Sequence, residues 1–170
     1  STDIINIKET LIYFSFPFLK KTIETKKAPP AFLFQFLQMV FYYESNDHVV
    51  YAGRDKYENE ILLKNCFDDV DVWFHCDQIS SAHVYLRLKS GESIETIDES
   101  ILMDCCQLVK HCSIEGNKMR KVDVVYTLAS NLRKTRAMDV GQVSFRDEKL
   151  VHRFKKIRDG RGTQPRFVFM

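Results

Sequence analysis

The sequence predicts an α+β domain: a mostly antiparallel sheet with two helices packed on one face. Three observations carry that expectation. Short runs with a period of two outnumber those with helical spacing. Neighbouring runs are joined by short polar connections, which favour hairpins. Only Arg54–Phe67 and Asp98–Cys112 show helical spacing of apolar residues.

The elements follow in order. MVFYYES (Met39–Ser45) reads as a strand, Asn46-Asp47 as a turn and HVVYAG (His48–Gly53) as a second strand. The helix RDKYENEILLKNCF (Arg54–Phe67) has Asp55 as N-cap and Glu58 at capping-box spacing, with Tyr57, Ile61 and Leu62 on one face. DVWFHCDQISSAHVYLRL (Asp71–Leu88) reads as two strands that pair antiparallel about Ile79. Gly91–Thr96 is a turn. In the second helix, Asp98–Cys112, the apolar stripe is Ile101, Leu102, Cys105, Leu108, Val109 and Cys112. Lys110 and His111 suit its C-terminal dipole. KVDVVYT (Lys121–Thr127) is a further strand, and Val140–Phe145 and Leu150–Phe154 are weaker ones.

The flanks read differently. Ser1–Gln38 is rich in Phe and Lys, contains Pro29-Pro30 and has no clean period. The expectation is an appended or non-native segment over residues 1–38, a domain over 39–158 that begins at Met39, and a flexible tail over 159–170. No apolar run reaches the ~20 residues of a membrane span, and no secretory pattern is present. Five cysteines form no C-x-x-C pair, which points to free thiols in a reducing compartment, the cytoplasm or nucleus.

Charge is asymmetric. Residues 1–117 hold 11 Lys/Arg against 18 Asp/Glu, and residues 118–170 hold 14 against 5, so −7 and +9 sum to the net +2. A basic third suits an anionic partner; a solvated basic tail is the plain alternative. The cations cluster at Lys118, Arg120 and Lys121, at Arg133, Lys134 and Arg136, and at Arg153, Lys155, Lys156 and Arg158. Such clusters contact phosphate backbones without reading sequence.

In the Asp71–Leu88 pair, residues of equal parity share a face. Val72, Phe74, Val84 and Leu86 would lie on the helix-covered core. Trp73, His75, His83, Tyr85 and Arg87 would form the other face. Flat rings stack on bases, and Arg and His reach phosphates. The alternative is a second small core beneath a loop. A metal site built on His75, Cys76, Asp77 and His83 is disfavoured, because His75 and Cys76 point to opposite faces. No nucleophile elbow, P-loop or dinucleotide fingerprint occurs, so neither catalysis nor a cofactor is expected.

Together YAGRDKYENEIL, DVWFH, SSAHVYLRL, LMDCCQLVKHCS, KVDVVYT and MDVGQV resemble the NFACT-R domain, the RNA-binding module of the NFACT proteins, in its stand-alone eukaryotic form. The likeness runs from Met39 to about Val151. Large members of the family act in ribosome quality control, binding stalled large subunits and tRNA. The resemblance thus implies a non-catalytic nucleic-acid-binding module, with RNA first, DNA open and a ribosome-linked role. The matched positions are Gly53, Arg54, Asn59, Glu60, His75, Ser81, His83, Lys118 and Lys134. Stand-alone members continue into a long charged helix, whereas this chain ends FKKIRDGRGTQPRFVFM; coiled-coil partners are therefore not carried over. The expected contact residues are Arg54, Trp73, His75, His83, Tyr85, Arg87, Lys118, Lys121, Arg133 and Lys134. The rival expectation is a scaffold that docks an acidic or ribosomal protein on the basic third.

Overall fold

A computed structural model describes residues 40–45, 48–158 and 168–169. The expectations for residues 1–38, for the turn at Asn46-Asp47 and for most of the tail lie outside the described residues. In chain order the strands are β1 (Val40–Ser45), β2 (His48–Gly53), β3 (Asp71–Cys76), β4 (Val84–Arg87), β5 (Val122–Leu128), β6 (Leu132–Arg133), β7 (Ser144–Phe145), β8 (His152–Ile157) and β9 (Val168–Phe169). The helices are α1 (Lys56–Asn65) and α2 (Glu99–His111). Seven strands form one sheet in the order β8-β5-β3-β4-β2-β1-β9, and β6-β7 is a separate ribbon. Each pairing is antiparallel, as the α+β expectation requires.

The register of β3 and β4 follows from their parity. Phe74 stands opposite Val84 and Asp71 opposite Arg87, a reflection about Ile79. One residue of slip would drive the apolar set out of the core. Val72, Phe74, Val84 and Leu86 therefore share a fully buried face with Val50, Ala52 and Val124. Helix α2 covers that face with Ile101, Cys105, Leu108 and Val109. Its start is capped by the Asp98 carboxylate, which accepts from Ser100 N at 2.8 Å.

Helix α1 starts as its sequence predicts. Asp55 Oδ1 accepts from Tyr57 N and Glu58 N at 2.8 and 2.9 Å. Glu58 reaches back one residue further than a capping box, to Arg54 N at 2.8 Å. Its buried side differs from the expectation: Glu58, Asn59 and Leu62 are inside, while Tyr57 is 60% exposed. Polar groups point inward here because the neighbouring elements offer them partners. Asn59 Oδ1 accepts from His83 N at 3.1 Å. A Cβ on Gly53 would come within 2.5 Å of that same oxygen, so the β2–α1 junction needs glycine.

The second face of the sheet is also buried. Trp73, His83 and Tyr85 are 2%, 2% and 0% exposed, and Asp71 is 0% exposed. Asp71 anchors this side. Its Oδ2 accepts from Tyr51 Oη at 2.6 Å, Phe67 N at 2.7 Å and Arg87 Nη2 at 3.0 Å, and its Oδ1 pairs with Arg87 Nε. The Arg87 guanidinium lies 4.2 Å from the centroid of the Phe67 ring. Tyr51 and Tyr85 stack at 5.0 Å. A buried carboxylate with this many donors stabilises only while its cation is present.

Asp71→Ala is expected to lower the unfolding free energy by about 3–5 kcal/mol, since it strands Arg87. Tyr51→Phe, which loses one hydrogen bond, is expected to cost only about 1 kcal/mol. Urea melts at one pH measure both; equal small losses would mean that the ion pair contributes nothing.

Candidate nucleic-acid interface

The odd-parity face was expected to be an open stacking platform, and burial corrects that. Trp73, His83 and Tyr85 are all buried, and the segment between β5 and β8 lies against Trp73 and His83. Phe145, on the β6–β7 ribbon, meets Trp73 edge-on at 5.7 Å. Arg87 is committed to Asp71. The plainer reading, a second small core under a loop, describes these residues.

Lys134 is corrected as well. Its Nζ lies 2.7 Å from Glu60 Oε2 and donates to the carbonyls of Asp139 at 2.6 Å and Gln142 at 2.9 Å. Three protons meet three acceptors, which leaves none for a phosphate. The hydrogen bond from Lys134 is the main reason that the Glu60 carboxyl is held down at about 2. Gly141 N also donates to Glu60 at 3.0 Å. Arg54 pairs with Glu58 across one helical turn.

What remains open is a cleft of about 580 Å³. One wall is the β3–β4 connection, Asp77–Ser81; the other is Val140–Phe145; Trp73, His75 and His83 lie between, and Lys56 and Asn59 close one side. Both walls are fixed. In the first, Ser113 Oγ donates to Ser80 O at 2.6 Å, Cys76 N donates to Ser81 Oγ at 3.0 Å, and Asp77 N donates to Asp123 O at 2.8 Å. In the second, Gly141 has φ +79° and sits so close to α1 that a Cβ would meet Lys56 O at 2.9 Å.

The rings in the cleft form a column and a T. His75 stacks on Trp73 at 5.3 Å with planes 6° apart, and His83 meets both edge-on. His75 is half-buried, and its Nδ1 lies 2.7 Å from Cys76 O. Burial lowers the pKa of His75 and takes that of His83 down to about 3, with His75 adding to the second shift. Neutral imidazoles do not draw phosphate by charge, so these histidines offer rings and single hydrogen bonds instead.

The cations lie beside the cleft. Gly116, in the one-turn helix Gly116–Lys118, is so close to Ile79 that a Cβ would lie 3.3 Å from its Cδ1. The segment carrying Lys118, Arg120 and Lys121 thus leaves from the first wall. Val122 stands opposite Ile157, which brings Lys121 and Arg158 to the same end of β5 and β8. Lys118, Arg120, Lys121 and Arg158 are exposed. Among the described residues no carboxylate pairs with any of the four. Arg133 is exposed and its Nε donates to Ser144 Oγ at 3.2 Å. Of the expected contact residues, the structure brings His75, Lys118 and Lys121 around one cleft end. Sequence reasoning missed Lys56 at the start of α1, Gln78 in the β3–β4 connection and Phe145 on β7, which tertiary packing brings to the cleft; the positive φ of 63° at Gln78 has no sequence signature.

Acid should loosen this site. A histidine that stays neutral when folded but protonates when unfolded gives the unfolded chain more protons, so stability rises with pH. For His83 the stability is complete above 6.5 and is lost as pH falls towards about 3. His75 acts in the same direction. Glu60 adds a further loss between 4.5 and about 2. Urea melts are expected to show declining stability from about pH 7 to about pH 5, with a shallower slope in His83→Gln. A flat profile in the parent would contradict the neutral, buried His83.

Comparison with known proteins places the chain. The model of the NFACT protein RNA binding domain matches residues 36–147. Coiled-coil domain-containing protein 25 of Mus musculus is 52% identical over 129 residues, covering 71% of this chain and 62% of that protein. The homolog from Dictyostelium discoideum is 48% identical over 71% of this chain and 59% of its own. Protein JLP2 of Saccharomyces cerevisiae is 39% identical over 71% of this chain and 68% of its own. The chain thus spans about three fifths of the first two relatives. A solved structure of the C-terminal of the fibronectin/fibrinogen-binding protein from Streptococcus suis shares the fold, with a TM-score of 0.57 at 20% identity over 69% of this chain and 45% of that one. With the family model matching well over half of its residues, and relatives near 50% identity, this chain belongs to the NFACT-R family of RNA-binding domains.

Proposed function

We propose that the chain is a non-catalytic module that holds RNA by its phosphate backbone along the cationic end of β5 and β8. The observation that carries this is the group Lys118, Arg120, Lys121 and Arg158. These cations are exposed and without carboxylate partners among the described residues, and they stand beside a cleft with aromatic lining. Unpaired cations release counterions from a polyanion when they bind it, so affinity is electrostatic and salt-dependent. Family membership supports RNA ahead of DNA. A ribosomal or transfer RNA in the cytoplasm or nucleus is the finer part of the proposal. Support for a module without catalysis comes from the cleft itself: burial lowers the pKa of both its histidines, and among the described residues neither forms an ion pair with a carboxylate.

Fluorescence anisotropy of labelled single-stranded RNA, duplex RNA and duplex DNA against the full chain tests this. Binding is expected to weaken steeply with salt. Lys118→Ala/Lys121→Ala is expected to weaken every ligand at low salt and to lower the slope of log affinity against log salt by about 1–2. A double variant that binds as the parent does would remove this surface from the proposal. Binding that is insensitive to salt would remove the electrostatic account.

A further inference from the structure

The cations explain attachment to a strand, but they do not explain the cleft. Its volume of about 580 Å³ falls in the range of small-molecule sites, roughly 300–1,000 Å³. It is too small for a helical element of a partner, and its walls are tied down rather than mobile. Two of the residues that form it also carry buried ring nitrogens with no hydrogen-bond partner, Trp73 Nε1 and His83 Nδ1. Such orphans are uncommon in folded proteins, because each leaves a desolvated polar group unmatched. Trp73 and His83 are each 2% exposed, so bulk water does not serve these atoms.

The two nitrogens differ in sense. An indole Nε1 can only donate. Burial keeps the His83 ring neutral. Its unpartnered Nδ1 donates or accepts according to the tautomer. The cleft is therefore lined by one fixed donor and one ring nitrogen of either sense, on rings whose centroids are 5.3 Å apart. Beside them stand the half-buried rings of His75 and Phe145. Flat ring faces next to nitrogens that donate or accept match a nucleobase, since every base places a donor beside an acceptor on its pairing edge. That edge is free only when the base is unpaired.

Resting on the nucleic-acid reading above, we propose that the cleft takes one unpaired nucleobase of the bound strand, flanked by the half-buried rings of His75 and Phe145, with its pairing edge turned towards the ring nitrogens of Trp73 and His83. The phosphates beside that base lie on Lys118, Arg120 and Lys121, which leave from the adjoining wall. A paired duplex meets the cations and leaves the cleft empty. The module thus discriminates unpaired from paired nucleic acid, while the cations alone would not.

Trp73 is the sole tryptophan of the sequence, so its emission reports on the cleft without labelling. The test uses the full chain and three ligands of equal length: a single-stranded RNA, the same strand with abasic sites throughout, and a blunt RNA duplex. Anisotropy of the labelled ligand reports attachment, and Trp73 emission reports cleft occupancy. The natural strand is expected to change Trp73 emission and to bind about tenfold tighter than the abasic strand, the contribution of roughly one stacked base. The abasic strand and the duplex are expected to bind by anisotropy and leave the emission unaltered. Val140→Phe, at an exposed position on the rim, is expected to abolish the tenfold preference while the abasic strand binds as before. If all three ligands bind equally and none alters Trp73 emission, the base site is wrong and the phosphate surface stands. If none binds at low salt, the nucleic-acid reading itself fails, and the base site with it.

Discussion

The carboxylate of Glu60 is the constraint on which the site depends. It sits on α1, yet its partners belong to the segment that crosses the sheet: Lys134 Nζ at 2.7 Å and Gly141 N at 3.0 Å. Lys134 in turn gathers the carbonyls of Asp139 and Gln142. One acid and one ammonium therefore fold a loop of weak intrinsic structure onto a helix, and that loop makes the second wall of the cleft. Phe145, carried by the same segment, closes over Trp73. Without this tie, the aromatic face would be the open platform that its residue types suggest. With it, the face becomes a core with one opening.

That distinction shows what the sequence could convey. The parity of β3 and β4 was legible because a strand alternates with period two, and the reflection about Ile79 followed from matching the apolar residues. The stripe of helix α2 was legible at Ile101, Leu102, Cys105, Leu108 and Val109, which are buried; Cys112 is only half-buried, and Cys106 and Lys110 are buried beside the stripe. The cover over the second face was not legible. Its segment contains only the two-residue strands β6 and β7, too short for any period. Helix α1 misled for a related reason: it buries Glu58 and Asn59, whose partners are set by tertiary contacts and cannot be inferred from hydropathy.

The positions matched to the family divide accordingly. Gly53, Asn59, Glu60, Ser81 and Lys134 are architectural. They set the β2–α1 junction and hold the walls of the cleft. His75, His83 and Lys118 line the cleft or stand at its edge. Residue type alone would have cast Lys134 and Lys118 in the same role. Their surroundings separate them: the Lys134 ammonium meets three acceptors and is a structural tie, whereas Lys118 is exposed and has no carboxylate partner among the described residues. Buried histidines held neutral fit the same division: the exposed cations gather at the corner of β5 and β8, and the rings line the cleft.

A bound strand is expected to touch the protein at the cleft and at the cationic corner beside it. Ultraviolet crosslinking of the full chain to a single-stranded RNA, with the adducts mapped by mass spectrometry, measures that directly. Adducts are expected on the cleft lining between Trp73 and His83, on Phe145, and on the Lys118–Lys121 segment. Adducts confined to the α2 side of the sheet or to residues 1–38, with none in these three places, would contradict it.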